Sequence, residues 1–244
     1  MAWAAFCHNS DLGRFFPFAG PHIVNFTADL FPELFYWLAH LVYASVLGWA
    51  LYSAPWYKIR SRENLHVFLG ATVALLLIWS LKAGIKPGMS FHLLGATLLM
   101  LMFGWQFALF SLSLILVGQA LYGNIEWFSF SLNALVMAAV PVLFSFAVFR
   151  LSVLFLPRHF FIYTLFNAFF CAGLTMGVTM LLVALLLACC SHYSFDQIRD
   201  NYLIFSPMLI FAEGFFTGML ATSMVLFRPE WIGSFDDRRY LSGK

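Results

Sequence analysis

The sequence predicts an all-α fold, a polytopic integral membrane bundle of about seven transmembrane helices with its N-terminus out and its C-terminus in. Three observations lead there. Of 244 residues, 62% are hydrophobic and 10% are charged, where a soluble domain carries roughly 25% charged residues. The apolar residues gather in runs of the length a helix needs, about 20, to cross roughly 30 Å of hydrocarbon. Lysine and arginine concentrate in alternate loops, the pattern of short cytoplasmic connections.

Residues 1–31 form a mixed N-terminal segment in which Phe15, Phe16, Phe18 and Phe26 alternate with turn formers. It is expected outside, lying at the interface or folding back between helices. It lacks a basic start followed by an unbroken apolar stretch, so a cleaved signal peptide is not expected. The transmembrane domain, 32–228, holds six apolar runs: Glu33 to Ala54, Leu65 to Leu81, Phe91 to Leu121, Leu132 to Phe155, Phe160 to Cys190 and Tyr202 to Phe227. The third is too long for one straight crossing. A break at Gly104, within Met102-Phe103-Gly104-Trp105-Gln106, divides it into two shorter helices and makes the count seven. Residues 229–244 are the expected cytoplasmic tail.

With seven spans and the N-terminus out, the inner loops hold Lys58, Arg60, Arg62, Arg150, Arg158, Arg228, Arg238, Arg239 and Lys244, against Arg14, Lys82, Lys86 and Arg199 outside. Nine against four is the asymmetry that sets this orientation. Trp37, Trp56, Trp79, Trp127 and Trp231 fall near helix ends and read as interfacial anchors. Gly173 with Gly177, and Gly214 with Gly218, are spaced four apart, which lets helix backbones approach closely.

Several functions are excluded. The net charge of +2 is small and the basic residues are scattered, so nucleic acid is not a partner. No Walker-type Gly-Lys-Ser/Thr sequence is present, so the chain does not hydrolyse ATP by that route. HExxH, a Ser-His-Asp order and paired carboxylates within one span are all missing, so the chain is not read as an enzyme. Cys7, Cys171, Cys189 and Cys190 show no metal-ligand spacing, and a disulfide framework is not expected. A second soluble domain is not expected, since the longest stretch outside the apolar runs is the N-terminal segment.

A strongly polar group in hydrocarbon costs on the order of 2.5 to 3.5 kcal/mol, so each one inside a span is a candidate site residue. Glu213 is the only carboxylate deep in the apolar runs, read either as a cation or proton partner or as a hydrogen bond between helices. Its replacement by Gln is expected to fold but to alter activity. His92 sits at the mouth of the third run, after Lys86-Pro87-Gly88. A neutral imidazole there suits Ni, Co, Cu or Zn, and also suits a capping role. Asn133 and Gln119 flank the loop Gly123-Asn124-Ile125-Glu126 on the same side. They fit as partners that orient an imidazole or as interhelical hydrogen bonds. His40 is read as a core hydrogen-bonding group, and Gln106 and Asn167 complete the list of polar residues inside the runs.

His92-Leu93-Leu94-Gly95-Ala96, Gln119-Ala120-Leu121-Tyr122-Gly123 and Ser131-Leu132-Asn133-Ala134, in that order, resemble the CbiM/NikM family, the substrate-binding membrane components of energy-coupling-factor (ECF) transporters for cobalt and nickel. Ala212-Glu213-Gly214 with Thr217, followed by Arg228-Pro229-Glu230, looks like the family's last helix and its basic exit. The resemblance implies uptake of a divalent cobalt or nickel ion as substrate across the cell inner membrane. It also implies partner ATPase and transmembrane coupling subunits that supply the energy. In the family the ion is held by the N-terminal amine, a His at position two and the His of the His-Leu-Leu-Gly start. By position His92 alone carries over, because this sequence reads Met1-Ala2-Trp3. His8 and His22, in the N-terminal segment, are the nearest candidates for further ligands. The other reading is a non-transporting accessory or structural subunit that keeps the fold and has lost the metal site. Phe at 30 residues suits the extensive lipid and helix contact of either.

Overall fold

In a computed structural model, residues 25–81, 83–84, 86–157 and 159–235 are described. His8 and His22 therefore lie outside the described residues, as does most of the expected tail. Helix α1 (Glu33–Ser53) starts at Pro32, and α2 (Arg62–Ser80) is capped by the Ser61 side chain, which accepts from the Asn64 amide. A short antiparallel pair, β1 (Ala83–Gly84) and β2 (Ser90–Phe91), leads into α3 (Ala96–Phe103), and α4 (Trp105–Leu121) follows at once. Phe130–Phe155 is one continuous helix made of α5 (Phe130–Ala134), a π-helical turn at Leu135–Ala139 and α6 (Val140–Phe155). Ile162–Cys190 joins a π-helical stretch, Ile162–Phe170, to α7 (Cys171–Cys190). Finally α8 (Phe195–Asn201) turns into α9 (Ser206–Phe227).

These are the seven helical segments expected, and five of them are long and apolar enough to cross a membrane. The division at Gly104 is where the sequence placed it, at φ 87° and ψ 165°, a conformation open to glycine and strained for any other residue. One expectation changes. The third run does not start as a helix at Phe91, for α3 begins at Ala96 and its eight residues rise only about 12 Å. After the strand residue Phe91, residues 92–95 enter the bundle as irregular, non-helical chain.

Each outer helix turns one stripe inward and leaves large apolar side chains outward, the reverse of a soluble helix. On α1, Tyr36, Ala39, Tyr43 and Ala50 are buried, while Leu34, Trp37, Leu41 and Trp49 are exposed. The core lies around α3 and α4, where Leu101, Leu109, Leu112 and Ile115 are fully covered. Glycines set the contact of the Ile162–Cys190 helix with α9. A methyl group on Gly214 would come 2.9 Å from the Phe169 carbonyl oxygen, and one on Gly173 would come 3.2 Å from that of Ile210. Hydroxyls join the inner helices, with Ser145 on α6 bonded to Thr97 on α3 at 2.7 Å and to Thr175 on α7 at 2.9 Å. Asn167 accepts from the Ser152 hydroxyl. His40 packs edge-on against Phe128, and its Nδ1 has no partner among the described residues.

Candidate metal-handling site

Irregular backbone inside a bilayer is tolerated where its amides and carbonyls find partners in the protein. Residues 92–95 find theirs in side chains. Glu213, midway along α9, accepts from the Leu94 amide through Oε2 at 2.7 Å and from the Gly95 amide through Oε1 at 2.8 Å. Trp79 Nε1, from the end of α2, donates to the Leu94 carbonyl at 3.2 Å. The carboxylate thus lies at the N-terminal end of α3, where the helix dipole favours an acceptor. Gly95 has φ 63°, and a Cβ there would fall 2.7 Å from Leu75 Cδ1, so this turn needs glycine on both counts.

His92 hangs on this same segment and is buried. Its Nδ1 lies 3.2 Å from the Leu93 carbonyl oxygen and donates to it, which in a neutral ring leaves Nε2 as the basic nitrogen. The imidazole packs on the Trp79 ring, with centroids 4.4 Å apart. Trp79 was expected as an interfacial anchor, but it is fully buried and orients both His92 and its backbone. By contrast Trp37, Trp56, Trp127 and Trp231 do present surface.

A small cavity of about 20 Å³ adjoins His92, lined also by Ser90, Leu94, Met137, Met176, Thr179, Met180, Val183 and Tyr202. The methionines were not singled out in the sequence, although Met176 and Met180, four apart within an apolar run, carry the helical spacing of one face. A larger cavity of about 480 Å³ lies elsewhere, beside the Gly104 break, with Lys58, Asn64, Phe103, Phe146, Glu230 and Trp231 among its walls.

Asn133 and Gln119 have other engagements. Asn133 Oδ1 accepts from the Phe26 amide at 3.1 Å, and its Nδ2 donates to the Phe26 carbonyl at 3.0 Å and to the Ser129 carbonyl at 3.0 Å. Glu126 accepts from the Ala28 amide, the Tyr36 hydroxyl donates to the Thr27 carbonyl, and the Asn25 side chain donates to the Asn124 carbonyl. Residues 25–28 are therefore strapped to the 124–133 loop, the fold-back between helices rather than the surface position. Gln119 Oε1 accepts from Asn124 Nδ2 at 2.8 Å and its Nε2 donates to the Ser80 hydroxyl at 3.3 Å, which shapes that loop from below. Among the described residues no three His, Cys, Asp or Glu side chains gather as a metal-ion group. Cys171, Cys189 and Cys190 are free thiols.

Two crystal structures share this fold. A truncated transition metal transporter aligns with a TM-score of 0.69 and 18% identity, covering 82% of this chain and 97% of its own. A transition metal transporter aligns at 0.63 and 18%, covering 80% and 90%. No curated protein matches the sequence. The family described as the cobalt uptake substrate-specific transmembrane region, CbiM, matches residues 25–231. With most of its length matched, the half-helix and its Glu213 brace included, the chain belongs to the CbiM family of membrane components for metal uptake.

Proposed function

We propose that the chain is the ion-binding subunit of a transition-metal uptake transporter of the cell inner membrane, taking the ion near the outer face at His92. Separate ATPase and transmembrane coupling subunits of an ECF transporter supply the energy. Cobalt and nickel are the ions that the family suggests first. One observation carries this reading: His92 is buried on irregular chain held in place by Glu213 and Trp79, and a cavity opens beside it. Trp79 packs on the ring itself, and Glu213 fixes the backbone two and three residues on, more support than a histidine that served packing alone would need. Asn133 and Gln119 act away from the imidazole, fixing the Phe26 backbone and the loop at Asn124. His8 and His22 remain the candidates for further ligands.

The test is metal accumulation in cells expressing the chain with its chromosomal neighbours. The His92→Ala variant is expected to lose at least tenfold in uptake of its ion while inserting normally. Unchanged uptake across Ni, Co, Cu and Zn, with the protein recovered on an unrelated membrane enzyme, would establish the accessory-subunit reading in its place.

A further inference from the structure

A half-helix buried in a bundle has two ends to satisfy, and α3 has both of its ends held by one stretch of chain. At its start, the Leu94 and Gly95 amides donate to Glu213 of α9. At its finish, the carbonyls of the last turn have no partner within the helix. The Met100 carbonyl accepts from the Gly104 amide, which closes the helix. Leu101 and Met102, both buried, turn their carbonyls to residues that follow α9. Beyond Phe227 the chain passes through a 3-10 turn, Pro229–Trp231, and then lies against α3. There the Gly233 amide donates to the Met102 carbonyl at 2.8 Å and the Ser234 amide to that of Leu101 at 3.2 Å. The Ser234 hydroxyl donates to the same Leu101 oxygen at 2.7 Å. Tyr163 backs this clasp, its hydroxyl 2.6 Å from that of Ser234 and its ring edge-on to Phe235 at 4.9 Å.

The clasp fits closely on one side and is open on the other. A methyl group on Gly233 would fall 2.9 Å from the Met102 carbonyl oxygen. Across from that contact lies the cavity of about 480 Å³, with Met102, Gly104, Trp231, Gly233 and Ser234 among its walls. The exit of α9 therefore has room to shift. The half-helix it grips is short, buried and stiff, and close-packed interiors compress little and pass strain along. A displacement of the clasp is thus delivered through α3 to Leu94 and Gly95, two and three residues from His92. Trp231 and Glu230, just before the clasp, present surface at that end of the bundle.

We propose that Gly233 and Ser234 are positioning residues for the metal site: the exit of α9, at the Arg228 end of the bundle, sets through α3 where the His92 segment sits and so how tightly the ion is held. The proposal rests on the reading that the ion is taken at His92. It adds a route by which the opposite end of the bundle controls that site. Because Glu213 and the clasp belong to the same element and its exit, they act as one grip on the half-helix.

The test uses the full chain in detergent, with amide exchange read at residues 92–96 and Ni(II) and Co(II) titrated separately. Ser234→Ala is expected to speed exchange at Leu94 and Gly95 and to weaken ion binding, each by about threefold or more, the scale of one lost hydrogen bond. Ser234→Thr, which keeps the hydroxyl, should restore both. Gly233→Ala should act in the same direction; if it fails to fold, the two serine variants decide. Tyr43→Phe, which removes a buried hydrogen bond to Ser113 between α1 and α4, should change neither. Faster exchange confined to residues 101–104 and 232–235, with ion binding as in the native chain, overturns the proposal and leaves the clasp a local fastening. A rise spread evenly over the bundle, residues 25–28 included, overturns it as well, since that marks general loosening. Native ion binding that Ser234→Ala leaves unchanged overturns this proposal alone, whereas a native chain that binds neither ion overturns the metal reading together with it.

Discussion

Glu213 carries two duties that one residue seldom combines: it is a carboxylate deep in an apolar bundle, and it is the partner of two backbone amides that have no other helix to join. Leaving one buried donor without its acceptor costs about 1–3 kcal/mol. Glu213→Ala should therefore destabilise by about 2–6 kcal/mol. Glu213→Gln, which keeps one acceptor oxygen and turns an NH2 toward the second amide, should fall between Ala and the native residue. Thermal melting in detergent would order the three. A Gln variant as stable as the native protein would mean that the carboxylate matters for ion handling and little for the fold. Asn133 bears on the strap in the same way. Asn133→Leu removes both partners of the Phe26 backbone, so faster amide exchange over residues 25–28, with α6 and α7 unaffected, is the expected result.

At the scale of elements, the seam between the Ile162–Cys190 helix and α9 depends on residues without side chains. Gly214→Ala would place a methyl 2.9 Å from a backbone carbonyl oxygen that cannot rotate away, so the helices must part. Overpacking of this kind costs about 1–3 kcal/mol. Gly48, on the exposed face of α1, has nothing within 4 Å of the corresponding position. Gly48→Ala should be neutral or raise the melting point slightly, since alanine is the better helix former by about 1 kcal/mol. If both substitutions gave the same shift, close backbone approach would not be what holds the two helices together. The spacing of these glycines was readable in the sequence. Their partners, Phe169 and Ile210, were not, because spacing names the face of a helix and never the helix opposite.

For the whole molecule, the alternation of helix direction puts Lys58, Arg60, Arg62, Arg150 and Arg228 at one end of the bundle and Lys86 and Arg199 at the other. The charge bias predicts that the first end is cytoplasmic. Single cysteines placed at Asn124 and at Arg60, in a background freed of native cysteines, test this with a membrane-impermeant thiol reagent on intact cells. Labelling is expected at Asn124 and not at Arg60, and the reverse pattern would invert the orientation. In this orientation the His92 segment enters from outside, the direction that uptake requires.

The sequence by itself determined that the chain is a seven-segment helical membrane bundle, roughly where most of its helices run, that it breaks at Gly104, and that His92 and Glu213 are among the polar groups to watch. Those features are local: they depend on a run of apolar residues, a glycine, or a polar residue in the wrong solvent. Only the tertiary structure decided that α3 is a half-helix entered by irregular chain, that Glu213 and Trp79 brace that chain, that Asn133 straps the Phe26 backbone, and that three methionines line the cavity beside His92. Each of these joins residues far apart in the chain, and hydropathy, which sees one helix at a time, carries no record of which buried faces meet.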